Sequence, residues 1–144
     1  MTENNLLNNA REAIESVGIE GVELVRESFD PQNFGNGEVV FRLGPLLLRF
    51  IRDRGQDFLD VASAIAPDHF HQFDDVEIGM GWKSVEEVLA KSEPEPLADM
   101  LRRMRKRLGE LELVMSGNQE RFTRDRIERA AEHRGAGFVK RLRE

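Results

Sequence analysis

The sequence predicts an α+β fold: one domain spanning residues 1–144, with an N-terminal helix, an antiparallel sheet of four or five strands, and C-terminal helices packed on it. Three observations predict it. Apolar residues recur at helical spacing near both ends of the chain, alternating runs between Gly and Pro turns fill the middle, and 144 residues suit one domain with a core of its own.

Leu6, Ala10, Ala13, Ile14 and Val17 share one helical face, and Gly18 follows as a stop. Residues 19–29 fit two patterns. Val22 and Leu24 alternate as in a strand, whereas Val22, Val25 and Phe29 suit a helix; Gly21 before them and Asp30-Pro31 after them favour the strand. Residues 30–37 read as a loop. Val39, Phe41 and Leu43 alternate as a strand, Gly44-Pro45 turns the chain, and Leu46, Leu48 and Phe50 share a face of the next strand. Arg52-Asp53-Arg54-Gly55 is a tight connection in which Gly55 supplies a positive φ. Phe58, Leu59 and Val61 form the following strand. After a loop at 63–74, Val76, Ile78 and Met80 alternate as one more strand, ending at Gly81-Trp82.

Ser84-Val85-Glu86-Glu87 has the form of a capping box, which predicts a short helix to about Lys91. Glu93-Pro94-Glu95-Pro96 is a stiff connector, with Pro96 placed to start the next helix. Leu97, Leu101, Met104, Leu108, Leu111 and Met115 then form one apolar seam on a helix of roughly five turns. Ser116-Gly117-Asn118 stops it. A last helix is expected from near Thr123, with Ile127, Ala130 and Ala131 inward and a break at Gly135-Ala136-Gly137; Phe138 and Leu142 suggest a terminal turn docking back.

Charge is divided along the chain. Residues 1–99 carry 8 Lys/Arg against 20 Asp/Glu, and residues 100–144 carry 13 against 7, so a net charge of −6 hides an acidic body and a basic helical tail. Such fields govern partner choice and encounter rate more than fold. Cys is absent, which removes disulfides, thiolate nucleophiles and Cys-ligated metals and fits a reducing compartment. The start Met1-Thr2-Glu3-Asn4-Asn5 lacks a signal-peptide pattern, and the longest apolar run, Leu46-Leu47-Leu48, is far short of a membrane span, so a cytoplasmic protein with no membrane contact is expected.

Candidate chemistry is sparse. Asp68, His69, His71, Asp74 and Asp75 crowd eight residues, but His-x-His on a loop lacks a fixed face, and a polar loop anchored by Phe70 and Phe73 accounts for them without a metal. Asp53, Asp57 and Asp60 lie among Arg49, Arg52 and Arg54, so ion pairing explains them without acid–base work. The sequence has no nucleophile elbow, Walker-type loop or dinucleotide fingerprint, and Gly79-Met80-Gly81 is too short to cradle phosphate. No enzymatic activity, cofactor or metal is expected. In Arg102-Arg103-Met104-Arg105-Lys106-Arg107, Met104 points inward and five cations spread over the solvent arc. Flanking Glu95, Asp99, Glu110 and Glu112 favour pairing with the acidic body over phosphate binding. Trp82, the single Trp, suits a core plug where sheet meets helix, or an interface anchor.

Two stretches carry a resemblance. Arg49-Phe50-Ile51-Arg52-Asp53-Arg54-Gly55-Gln56-Asp57-Phe58-Leu59-Asp60-Val61 is similar to a strand–turn–strand of small bacterial proteins encoded beside polymorphic toxins. Gly81-Trp82-Lys83-Ser84-Val85-Glu86-Glu87-Val88-Leu89 resembles their helix entry. The likeness, to immunity proteins of contact-dependent growth inhibition and related toxin systems, covers about a third of the chain. It implies an antitoxin-like binder that blocks a cognate toxin domain, often a nuclease. The charge agrees independently, since an acidic surface steers toward a basic protein. Asp53, Asp57, Asp60, Asp68, Asp74, Asp75, Glu77 and Trp82 are the expected partner-binding residues. Two readings compete with this one. The first is a small regulatory or nucleic-acid-associated protein that uses the basic C-terminal helices; the second is an enzyme or metal-dependent hydrolase.

Overall fold

The structure is a computed structural model that describes residues 5–30, 32, 36–91 and 95–143, with the backbone alone for 5, 30 and 137–143. Helix α1 (Asn5–Val17) buries Leu6, Ala10, Ala13, Ile14 and Val17, as their spacing predicts. It ends in a paired cap: Gly18 N–H donates to the Glu15 carbonyl at 3.1 Å and Ile19 N–H to the Ile14 carbonyl at 3.2 Å. That geometry needs the left-handed φ of +81° at Gly18, which a side chain would strain.

Five antiparallel strands follow in spatial order β1-β2-β3-β4-β5: β1 (Glu23–Asp30), β2 (Asn36–Leu43), β3 (Leu46–Asp53), β4 (Gln56–Ser63) and β5 (His71–Gln72). Two-residue turns set the register, pairing Leu43 with Leu46 and Asp53 with Gln56. At the second turn Arg54 and Gly55 both have positive φ, +53° and +82°, which matches the twist of the flanking strands. Arg54 N–H donates to Asn36 Oδ1 at 2.8 Å and holds the corner.

The helices cover one face of the sheet. Val39, Phe41, Leu48, Phe50, Leu59 and Val61 meet α1 and the helices described next in the main core. The other face carries a ladder of charge across four strands: Arg26 pairs with Glu38 at 2.9 Å, Glu38 with Arg49 at 3.7 Å, and Arg49 with Asp60 at 2.7 Å. Arg49 also lies 4.1 Å from the Phe70 ring centroid, and Phe70 packs on Val40, Leu47 and Ala62 there.

Helix α2 (Phe73–Gly79) corrects the strand expected at Val76, Ile78 and Met80. Its buried residues are Phe73, Asp75, Val76 and Glu77, a helical set of which two members are acidic. Alternation counted the apolar positions and missed buried charge. The fifth strand of the sheet is instead β5, inside the expected 63–74 loop. Helix α3 (Val85–Leu89) has the predicted cap: Glu87 N–H donates to Ser84 Oγ at 3.1 Å and Ser84 N–H to Glu87 Oε1 at 3.2 Å.

The long seam helix is two helices, α4 (Leu97–Lys106) and α5 (Leu108–Val114), hinged at Arg107 with φ −116°. Gly109, a poor helix former, follows the hinge. Leu97, Leu101, Met104, Leu111 and Met115 stay buried, while Leu108, beside the hinge, is half-buried. A 3-10 turn (Gly117–Gln119) leads into α6 (Glu120–Arg143). Helix α6 starts earlier than Thr123 and runs through Gly135-Ala136-Gly137 without the expected break. Extending a helix already formed costs far less than nucleating one, so two glycines at roughly 1 kcal/mol each do not stop it. The side chains of Phe138 and Leu142, and the connector residues Glu93 and Pro94, lie outside the described set. Among the described residues no helix is long and apolar enough to cross a membrane.

Candidate functional site

Strand β5 pairs only with Asp60 and Val61 of β4, because the chain turns into α2 at Phe73. The first half of β4, Gln56–Leu59, therefore has no strand partner on its outer side among the described residues. A groove of about 420 Å³ opens along it. Its apolar lining comes from Phe58 and Leu59 of β4, Phe73 of α2, Val88 and Leu89 of α3, and Met100 of α4. Asp57, Asp60, Asp74 and Glu95 line it as well, with Lys91 and Arg134.

Each of these charges has an internal partner. Asp57 receives two hydrogen bonds from Arg52, at 2.7 and 2.9 Å, across the β3–β4 pair. Asp60, 5% exposed, receives two from Arg49. Lys91 donates to Asp74 at 2.7 Å and to Glu95 at 2.8 Å. Arg134, far along α6, grips Asp75 at 2.5 and 3.1 Å and Gln72 at 3.0 Å. Arg103 of α4 spans Glu77 and Glu95. The basic tail thus neutralises acidic groups of the body by direct contact.

The expected partner-binding residues therefore divide. Asp57 and Asp74 line the groove, and Asp60 borders it with its carboxylate held by Arg49 on the other face of the sheet. Asp75 and Glu77, 4% and 2% exposed, are buried behind it and held by Arg134 and Arg103. Asp53 and Asp68 are exposed elsewhere, Asp53 accepting from Asn36 Nδ2 at 3.3 Å. Trp82 is half-buried between α2 and α3, packs on the main core, donates to Glu110 Oε1 at 3.4 Å and carries Arg107 5.5 Å from its ring centroid. Residue patterns did not single out Val88, Leu89, Lys91 or Arg134 for the groove, and only Lys91, at the end of a capped helix, had a local signal. They also missed Glu12, Glu15, Glu20 and Glu23, which are exposed on and after α1 with no ion pair among the described residues.

Burial raises the Asp60 carboxyl despite Arg49, and burial lowers the His71 imidazole despite Glu128. Arg103's hydrogen bond and Lys91 hold Glu95 down at about 2, from an ordinary value of 4.5, against opposing burial. A carboxyl depressed in the folded state contributes stability that is present above its unfolded value and lost as pH falls toward its folded one. Stability is thus expected to decline between pH 4.5 and about 2 through Glu95, and Glu95→Gln to flatten that part of an acid-unfolding profile followed by circular dichroism. A profile unchanged by the substitution would remove Glu95 from the acid transition.

Among the described residues no three His, Asp or Glu side chains gather as a metal-ligand set; His69 instead lies 3.6 Å from Glu128. No protein family, characterised protein or solved structure matches the chain.

Proposed function

We propose that the protein is a non-catalytic, antitoxin-like inhibitor that acts in the cytoplasm by binding a basic partner, a cognate toxin domain of the nuclease kind. The observation that carries this reading is the groove: an apolar floor beside a stretch of β4 that has no strand partner on its outer side among the described residues. Each titratable group there is tied to a counter-charge or a neighbouring strand, a design for holding shape rather than for exchanging protons. Glu12, Glu15, Glu20, Glu23 and Asp68, exposed and without an ion pair among the described residues, add a field that steers a basic surface toward the molecule. The likeness of residues 49–61 and 81–89 to immunity proteins supports the same reading.

The basic tail offers a nucleic-acid reading less support. Arg103 and Arg134 are engaged internally, and Arg102 and Arg107 pair with Asp99 and Glu110 at 3.0 and 3.5 Å. Arg105 and Lys106 remain exposed on α4.

The test is association with the protein encoded by the adjacent gene. Reversing Glu20, Glu23, Asp53 and Asp68 to Lys is expected to slow association about tenfold at low salt and to flatten its salt dependence. These residues are accessible, unlike Asp60, Asp75 and Glu77, whose reversal would unfold the chain. An on-rate and salt slope that stay unchanged would overturn the electrostatic reading, and salt-sensitive retention of the wild-type chain on DNA would favour the basic tail.

A further inference from the structure

The residues just before α2 cross the edge of the sheet as a strap. It starts in a turn where Ala64 N–H donates to the Pro45 carbonyl at 2.8 Å and His69 N–H to the Ala66 carbonyl at 3.1 Å. At its far end Gln72 accepts a hydrogen bond from Arg134 at 3.0 Å. Between these anchors the chain is extended, so successive side chains go to opposite faces of the sheet. Phe70 packs on Val40, Leu47 and Ala62, on the face that carries the charge ladder, with Arg49 over its ring. His71 pairs with the core residue Val61 and is half-buried on the helix face. His69 is exposed and reaches α6, with Nδ1 3.6 Å from Glu128 Oε1.

The charges around His71 are unequally free to receive a proton's charge. His71 faces Asp75 from α2, Glu128 and Arg124 from α6, Asp60 from β4 and His69 from the strap itself. Asp75 is held by Arg134 at 2.5 Å, and Asp60 by Arg49 at 2.7 Å. Glu128 pairs with His69 alone among the described residues. A proton on each histidine therefore sets two imidazolium ions against one carboxylate, with the Arg124 guanidinium as a third cation nearby.

We propose that residues 66–71 are an acid-released strap: a proton on His71 drives the strap off the helix face, and Phe70 then lifts from Val40, Leu47 and Ala62. Closed, the strap leaves those three residues 0%, 8% and 0% exposed, so opening uncovers an apolar surface on the second face of the sheet. Burial decides the sign. An exposed pair such as His69–Glu128 contributes little, whereas removing a charge from water at His71 is strongly unfavourable. Burial accordingly holds the His71 imidazole below its ordinary value of 6.5, against the pull of Glu128. A base depressed in this way favours closure fully above its open-state value, and that preference is lost as pH falls through the lowered one. The loss begins near pH 6.5, well above the Glu95 transition that begins near 4.5.

The test is amide hydrogen exchange on the full chain at about pH 7.5 and about pH 5, read as protection factors so that the intrinsic pH dependence of exchange is removed. Protection at residues 66–72 is expected to lie below that of Val39–Phe41 at both values and to fall severalfold at the lower one. His71→Gln, which cannot take up the proton, is expected to abolish that fall. Glu128→Gln, which removes the one carboxylate shared by the two histidines, is expected to deepen it. An NMR titration of the imidazoles in the wild-type chain is expected to place His71 below 6.5. Protection at 66–72 that is independent of pH, that falls equally in His71→Gln, or that matches the core at both pH values would overturn the strap. A wild-type His71 that titrates at or above 6.5 would overturn it as well, whether or not the His71→Gln chain folds.

Discussion

Arg103→Ala is expected to cost about 3–5 kcal/mol of stability, toward the lower end of that range, read as a shift of the urea midpoint at unchanged slope. Arg103 donates to both Glu77 oxygens at 3.0 Å, reaches Glu95 as well, and lies 5.7 Å from the Phe73 ring centroid. Glu77 is 2% exposed, so removing the guanidinium leaves a carboxylate stripped of water with Lys83, 3.7 Å away, as its one remaining ion-pair partner among the described residues. The stored penalty belongs to the orphaned charge rather than to the pair. Replacing both partners by apolar residues of similar size, Arg103→Met with Glu77→Leu, is therefore expected to recover much of the loss. A loss below about 1 kcal/mol in the single variant would mean that Glu77 reaches water or that Lys83 alone suffices.

Leu101→Ala is expected to cost about 2–5 kcal/mol. Leu101 is fully buried in the main core on α4, between Leu97 and Met104, where α1 and the sheet close around it and leave little room to collapse into a cavity. Leu108→Ala serves as the comparison. The hinge at Arg107 leaves Leu108 only half-buried, so its truncation is expected to cost roughly half as much or less. Equal costs at the two positions would mean that α4 and α5 act as one continuous helix in solution, with the seam intact through the hinge.

Local patterns along the chain specify the elements whose burial is apolar and close in sequence. Leu6 to Val17 marked α1, the alternation between Gly44-Pro45 and Arg54-Gly55 marked the hairpins, and Ser84 with Glu87 marked the cap of α3. Each of these signals repeats within a few residues, and the free energy behind it comes from neighbours along the chain. Charge division was also legible: the acidic body and the basic tail are both real.

Tertiary structure alone decided where those charges go. Asp75 and Arg134 lie 59 residues apart and Glu77 and Arg103 26 apart, so no local pattern joins them. Because pairing lets carboxylates sit inside, α2 buries acidic residues at helical spacing, and a pattern that counts only apolar positions sees a strand there. The same long-range contacts decided the candidate site. Asp57, Asp60 and Asp74 were visible as acidic residues. The placement of Asp57 and Asp74 beside Val88, Leu89 and Met100 depends on β5 stopping after two residues and on α3 and α4 closing over the gap. The early stop follows from the turn into α2, which Phe73, Val76 and the paired Asp75 and Glu77 stabilise together against helices that arrive much later in the chain.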